Sequence, residues 1–357
     1  MKRRLLKFIE CNKCHGPFSI RVLKKDKEIK EGSLICKKCN ISYPIINYIP
    51  RFVSSKEDDF EKLKTDTIKY FGHEWVHFDR HGFDDEVYNK EYEKQIFHEK
   101  TLLGSKEVKN KLVLDAGCGN GRYTYQSLKC GAEVVGFDIG PGVESAYKNT
   151  KQFSKAHIIQ ADIFNLPFKN ELFDYAFSIG VIHHTGDAKK AFKSIIDTVK
   201  FTGTVTITCY HKSNVLWEFN DRLIRKFTVN ASINNLMTLS KFLAKTCKFC
   251  GPYVEKPVNL LFRWEPNVSI MYDWYSAPIA THHSYPEVYS WCKQFGIYVT
   301  EDLRWEKKEW LRNIKFFRTH IAPDWAITIR GLKNKNKTYT SSPKHIYEKT
   351  KILWEEK

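Results

Sequence analysis

A short apolar run that breaks into three alternating glycines constrains this chain more than any other feature. Leu112 to Leu114 reads as a buried strand, Asp115 closes it, and Gly117, Gly119 and Gly121 follow at once. Glycines there permit a tight turn and let a ligand lie against bare backbone. A helix starting just after them offers unpaired N–H groups to that ligand. A dinucleotide site, spaced G-x-G-x-x-G/A, would place a small residue where Arg122 stands. The spacing here is D-x-G-x-G instead.

Three further units repeat the pattern of a short apolar strand followed by a polar or acidic end. Ala132 to Asp138 ends in an acid about 20 residues past the glycines, where a carboxylate can accept both hydroxyls of a ribose. His157 to Asp162 does the same, and Leu172 to His184 runs from a strand into a histidine pair. Asp187 to Lys200 has an amphipathic pattern, and Gly203 to Tyr210 supplies a fifth strand. Strands alternating with helical patterns at this spacing predict a parallel sheet covered on both faces, with ligands at the strands' carboxyl ends. The D-x-G-x-G turn and the acids in this order resemble the class I S-adenosylmethionine (SAM)-dependent methyltransferases. The resemblance implies an α/β fold: a Rossmann-like, doubly wound sheet of seven strands. The last two, from Ile297 and from Trp325 to Arg330, would form an antiparallel edge.

Four of the ten cysteines pair as Cys11-x-x-Cys14 and Cys36-x-x-Cys39, with 21 residues between the pairs. Two such knuckles let four thiolates close tetrahedrally on one structural zinc and staple a segment too small for its own core. The gap is slightly longer than the usual 15–20 or so residues. His15 reads as a bystander. The segment Ile41 to Val53 resembles the small zinc-ribbon family that partners RNA and protein methyltransferases, with Tyr48 where that family has glycine. Cys247-x-x-Cys250 has no partner pair and reads as two free thiols. Cys118, Cys130, Cys209 and Cys292 read as small apolar fillers.

These patterns divide the chain into a zinc ribbon (1–53), a linker and helical lid (54–105), a SAM-binding core (106–210 and 285–333), a substrate-side insertion (211–284) and a basic tail (334–357). The linker is charged from Ser54 to about Thr67, and a helix is expected from Asp84 to Leu103. In the lid, Trp75 or Phe71 either covers the cofactor pocket or packs against the sheet. In the insertion, Trp217 to Phe227 and Leu236 to Lys245 have helical periodicity. This basic pair either caps the active site, the preferred reading, or lies on a membrane surface as a peripheral contact. No apolar run reaches the roughly 18 residues that span a bilayer, so no transmembrane segment is predicted and the expected location is cytoplasmic.

The resemblance carries roles over to particular residues. Asp115, Gly117, Cys118, Gly119 and Gly121 would hold the methionine and ribose part of SAM. Asp138 would take the ribose hydroxyls, with Ile139 beside it. Asp162 and Ile163 would read the adenine edge, and Ile179 and Gly180 would pass beneath the adenosine. Methyl transfer from a sulfonium mainly requires alignment, but a hydroxyl acceptor profits from a general base. His183 or His184 is the candidate base, and packing roles are the alternative. The net charge of +17, from 58 Lys and Arg against 41 Asp and Glu, permits a polyanionic partner without naming one. Arg222, Arg225 and Lys226 are the predicted acceptor contact. The combined motifs, including Phe71-Gly-His-Glu-Trp75 and Tyr272-Asp-Trp-Tyr-Ser-Ala-Pro278, resemble bacterial methyltransferases of surface-glycan and secondary-metabolite assembly. The expected acceptor is therefore a small molecule, a glycan or a lipid-linked saccharide, methylated at oxygen. An RNA methyltransferase acting on tRNA or rRNA is the alternative, and a non-catalytic SAM-fold binding module is the third reading.

Overall fold

The computed structural model describes residues 1–53, 62–83, 92–213, 215–259, 261–304, 326–334 and 344–347. Residues 54–61 of the linker expected to about Thr67, the start of the helix expected from Asp84 (84–91) and most of the tail lie outside them, and a helix already begins at Lys62.

The chain opens with a four-stranded antiparallel sheet in the order β1 (Phe18–Lys25), β2 (Ile29–Cys36), β3 (Ser42–Ile46), β4 (Ile49–Pro50). Asn47 and Tyr48 both have positive φ between β3 and β4, the backbone a two-residue hairpin of this twist demands. Tyr48 therefore keeps the turn that glycine would make easily. Its ring is held in compensation by stacking on Tyr147 at 5.0 Å and by donating to Asp26 Oδ2 at 2.6 Å.

After the ribbon come α1 (Lys62–His77), α2 (Tyr92–Thr101) and α3 (Ser105–Val108). The core then alternates β5 (Leu112–Ala116), α4 (Arg122–Lys129), β6 (Glu133–Asp138), α5 (Gly142–Thr150), β7 (Ala156–Gln160), β8 (Phe173–Ile179), α6 (Ala188–Thr198) and β9 (Val199–Tyr210). The insertion is helical: α7 (Val215–Thr228), α8 (Ile233–Cys250), α9 (Pro252–Val258) and α10 (Val268–Ser276). The chain closes with α11 (Tyr285–Gln294), β10 (Ile297–Arg304), β11 (Ala326–Lys333) and β12 (Lys344–Tyr347).

The large sheet runs β12-β10-β11-β9-β8-β5-β6-β7. β5 to β9 are parallel, and β11 is antiparallel to both β9 and β10. The seven expected strands are all present and the last two pair antiparallel as expected, but an eighth strand from the presumed tail, β12, pairs in parallel with β10 and covers its outer side. Neighbouring residues of one strand serve opposite faces. Val113, Val134 and Phe177 pack with Phe97 and Leu128 on one side, while Leu114, Val135 and Ala176 join Phe192, Ile195, Val288 and Trp291 on the other. This is the doubly wound α/β fold.

The ribbon docks on the β7 edge. Arg51 bridges to Gln160, Phe52 N donates to Gln160 O at 2.8 Å, and Lys2 Nζ donates to Ala156 O at 2.9 Å. Arg4 pairs with Glu133, which also meets His157 at 3.0 Å. Leu5, Phe8, Ile9, Phe18, Tyr43 and Phe52 belong to the same apolar core as the sheet. An edge strand left open would expose unpaired backbone groups; here the ribbon closes it. Among the described residues no helix is long and apolar enough to cross a membrane.

Candidate cofactor site and metal centre

β5 delivers Asp115 and the glycine turn to the carboxyl end of the sheet. Gly117, Gly119 and Gly121 all have positive φ. A Cβ on Gly117 would lie 2.4 Å from Val181, and one on Gly121 would lie 2.9 Å from the Ala146 backbone. These positions therefore need glycine for both conformation and space. Asp115 is buried and accepts from Thr124 Oγ1 at 2.6 Å. Burial, reinforced by nearby Asp138 and opposed by the Thr124 bonds, pushes its carboxyl up to about 7.

Asp138, at the end of β6, accepts from Gly119 N at 3.0 Å and from Gly140 N at 2.9 Å. Burial holds its carboxyl above the usual range despite those amides. It thus fastens the glycine turn. Asp162 accepts from Phe164 N at 3.0 Å and pairs with Lys64 of α1. Cys118 and Ile163 are buried, and Ile139 O accepts from Gln160 Nε2 at 2.8 Å. Ile179 ends β8. Gly180 has positive φ and open space where a Cβ would be.

Helix α1 lies along this row of residues. Lys64 reaches Asp162, Ile68 O and Gly72 stand close to Gly140, and the Trp75 indole comes to 2.9 Å from where a Gly119 Cβ would be. Trp75 lies over the glycine turn, and Phe71 packs against His184 with ring centroids 4.7 Å apart. The far side of α1 docks on the insertion, where Tyr70 donates to Ala231 O at 2.9 Å.

His183 and His184 form a short 3-10 turn after β8 and are both buried. His183 lies with its ring 3.8 Å from Tyr210 and 4.1 Å from His184, and neither ring nitrogen has a hydrogen-bond partner among the described residues. His184 Nδ1 donates to Ile279 O at 2.5 Å. Burial drives the His183 pKa well below its ordinary value and that of His184 to about 3, so both are neutral.

Two acids were missed in the sequence, Glu74, which is buried, and Asp273, which is half-buried. Glu74 on α1 is held well above the carboxylate range by burial and by Asp273. Asp273 on α10 is pushed up to about 6 by burial, with Arg263 and Arg225 opposing. Each sits between aromatic residues in its motif, which is a legible sign of an acid bound for a core. Arg225 departs from expectation. It points inward, bonding Asp221 Oδ2 at 2.8 Å and Ala277 O at 3.0 Å, while Arg222 and Lys226 stay exposed. It is not part of an outward acceptor contact.

In the ribbon, the sulfurs of Cys11, Cys14, Cys36 and Cys39 all lie within 4.8 Å of one another, with Cys11–Cys39 at 3.6 Å and Cys14–Cys36 at 3.4 Å. Four thiolates about 2.3 Å from a tetrahedral zinc stand roughly 3.8 Å apart, so the donor set fits that ion. His15 and Asn40, each following the second cysteine of a knuckle, share positive φ, and their amides bond Cys11 O and Cys36 O. His15 Nδ1 meets Glu10 at 2.6 Å and is not among the clustered ligands.

Residues 107–255 match the family model described as a methyltransferase domain, and residues 2–47 match that of Trm112p-like protein. The chain carries a class I SAM-dependent methyltransferase domain behind a Trm112-like zinc ribbon. Curated relatives include the tRNA U34 carboxymethyltransferase of Aliarcobacter butzleri, 30% identical over 29% of this chain and 35% of that protein. Another is the tRNA (carboxymethyluridine(34)-5-O)-methyltransferase of Arabidopsis thaliana, 35% identical over 28% and 24%. The Saccharomyces cerevisiae protein of the same name is 29% identical over 27% and 34%. The matched stretch spans about a quarter to a third of these relatives. Among solved structures, a Haloferax volcanii complex of the Trm112 methyltransferase activator with a methyltransferase is 12% identical, covering 74% of this chain and 98% of that one, at a TM-score of 0.44. Overlap of that degree carries no functional argument.

These relatives overturn the expected small-molecule, glycan or lipid-linked acceptor, and the surface-glycan kinship inferred with it is unsupported. The structure explains the misreading. Tyr272, Trp274 and Tyr275 of the motif that suggested it are buried packing residues of α10, so the motif reports a core and not an acceptor.

Proposed function

We propose that this chain is a SAM-dependent tRNA methyltransferase that modifies a wobble-position uridine at a substituent oxygen, with its own ribbon serving where a separate Trm112-type subunit would otherwise bind. The observation that carries this is the kinship of its cofactor core with enzymes named for that nucleoside, found together with a ribbon of the Trm112p type in one chain. Two features support it. Ser178-Ile-Gly-Val181 replaces the Asn/Asp-Pro-Pro-Tyr/Phe segment associated with methylation of base nitrogens. The net charge of +17 suits a polyanionic acceptor.

When bound, SAM supplies the electrophilic methyl group. Asp115, the glycine turn and Asp138 hold its polar atoms, and α1 excludes water from above. An acceptor carboxylate is already anionic at neutral pH and needs no base, so alignment is sufficient. In this reading His183 and His184 shape the acceptor wall as neutral rings and move no proton.

The test uses the full chain, methyl-labelled SAM and total tRNA from a strain lacking the gene, followed by nucleoside mass spectrometry. Label is expected in one modified uridine, with turnover falling log-linearly with rising salt. Label that enters a small-molecule extract and leaves tRNA untouched would overturn the reading.

A further inference from the structure

Helix α7 is amphipathic in the wrong sense for a buried cap. Its inward face carries Trp217, Glu218 and Asp221, while Val215, Leu216, Phe219, Leu223 and Phe227 face solvent. Phe219 is 63% and Phe227 74% exposed. At the far end of the insertion, Phe242 on α8 is exposed too, and Phe249 and Tyr253 at the α8–α9 junction are 92% and 93% exposed. So many exposed large apolar side chains within one insertion exceed the singly scattered ones of ordinary protein exteriors.

The exposed charge around these residues is predominantly positive. Arg222 and Lys226 on α7 and Lys241, Lys245 and Lys248 on α8 are all exposed. From residue 213 to 262 the chain has three acids, Glu218, Asp221 and Glu255. The first two are turned inward, onto His282 at 2.8 Å and Arg225 at 2.8 Å. α8 has no acid at all.

We infer that the outer face of the insertion docks on an anionic lipid surface, with the apolar side chains entering the headgroup boundary and the flanking lysines and arginines meeting lipid phosphates. The charge favours this occupant over a second copy, because a self-paired face would oppose cations to cations. The aliphatic share of the face, Val215, Leu216, Leu223 and Leu239, favours lipid over RNA, since bases stack on rings and gain little from branched chains. This inference is independent of the tRNA reading.

The test is co-flotation of the full chain with phosphatidylcholine vesicles, with and without phosphatidylglycerol. The wild type should float with the anionic vesicles and much less with the neutral ones. Phe219→Ser with Phe227→Ser and Phe249→Ser should lower partitioning about tenfold or more. Lys241→Glu with Lys245→Glu and Lys248→Glu should lower it comparably, and added salt should mimic that variant. SAM affinity and the melting temperature, measured on the same variants, should not change. Absence of flotation overturns the proposal, as does flotation undiminished by the aromatic triple variant. A wild-type dimer that the aromatic variant converts to monomer would assign the face to a second copy. RNA retention lost in that variant, without vesicle binding in the wild type, would assign it to RNA.

Discussion

Replacing Asp115 by asparagine should stabilise the apo protein and weaken its hold on SAM. The carboxyl is fully buried beside Asp138, with Thr124 as its hydrogen-bonding partner, and titrates at about 7. The same group in an unfolded chain titrates near 3.9. Between about pH 4 and pH 7 the folded chain therefore keeps a proton that the unfolded chain has lost. Apo stability falls as pH rises through that window and is level above it. The difference, about three units, is on the order of 4 kcal/mol at its largest. Asparagine is of equal size, can still accept from Thr124 and never ionises. Asp115→Asn should thus melt several degrees higher than wild type near pH 8 and gain nothing near pH 4. SAM brings a positive charge, and the carboxylate meets it best when ionised. Wild-type affinity should weaken about tenfold for each unit of pH below 7 and level off above it, with a proton released on binding. The variant should bind more weakly at high pH and lose that slope. Calorimetry in two buffers of different ionisation enthalpy measures affinity and proton release together. A variant that keeps the wild-type pH slope, or that melts lower near pH 8, would refute this account of the site.

Purified protein should contain one zinc per chain, and Cys36→Ser with Cys39→Ser should lose it and lower the melting temperature, since ribbon and sheet share one apolar core; full zinc retained in that variant would remove the site. Trp75→Ala should weaken SAM binding about tenfold with little loss of stability, because the indole covers the Gly119 turn at the edge of the core; unchanged affinity would mean that α1 packs without acting as a lid. Asp138→Ala should lose both, as the Gly119 and Gly140 amides would be left unpaired at about 1–3 kcal/mol each. A melting temperature equal to wild type would show that the turn holds without it. Tyr48→Ala should loosen the ribbon from α5 by removing the Tyr147 stack, seen as faster amide exchange along β7, and unaltered exchange would place the anchor elsewhere.

What could be read from the sequence and what could not divides along a physical line. The glycine turn and the acids at the strand ends were legible because their demands are local. Positive φ at Gly117, Gly119 and Gly121 and a carboxylate at the end of β6 follow from a few adjacent residues. The four cysteines were legible for the same reason, since knuckle spacing is itself the geometry of the ligand set. By contrast, β12 pairs with β10 across some forty residues, and neither its composition nor its periodicity marked it as a strand.

The insertion shows a subtler limit. Helical periodicity in α7 revealed two faces but not which of them the protein would bury. The usual rule sends the apolar stripe inward. Here Glu218 and Asp221 go inward because His282, Arg225 and the Trp274 indole wait there as partners, supplied by the helix itself and by a stretch more than fifty residues further on. Arg222, Arg225 and Lys226 have the spacing of one helix face, yet Arg225 sits at the boundary and is drawn to Asp221 and Ala277. Once its polar residues are satisfied internally, the helix can present its bulky apolar side chains outward, which a sequence pattern alone reports as an ordinary cap. The aromatic motif behind the expected acceptor is likewise governed by packing: Tyr272, Trp274 and Tyr275 are core, while Phe219, Leu223 and Phe227 of α7 stay exposed.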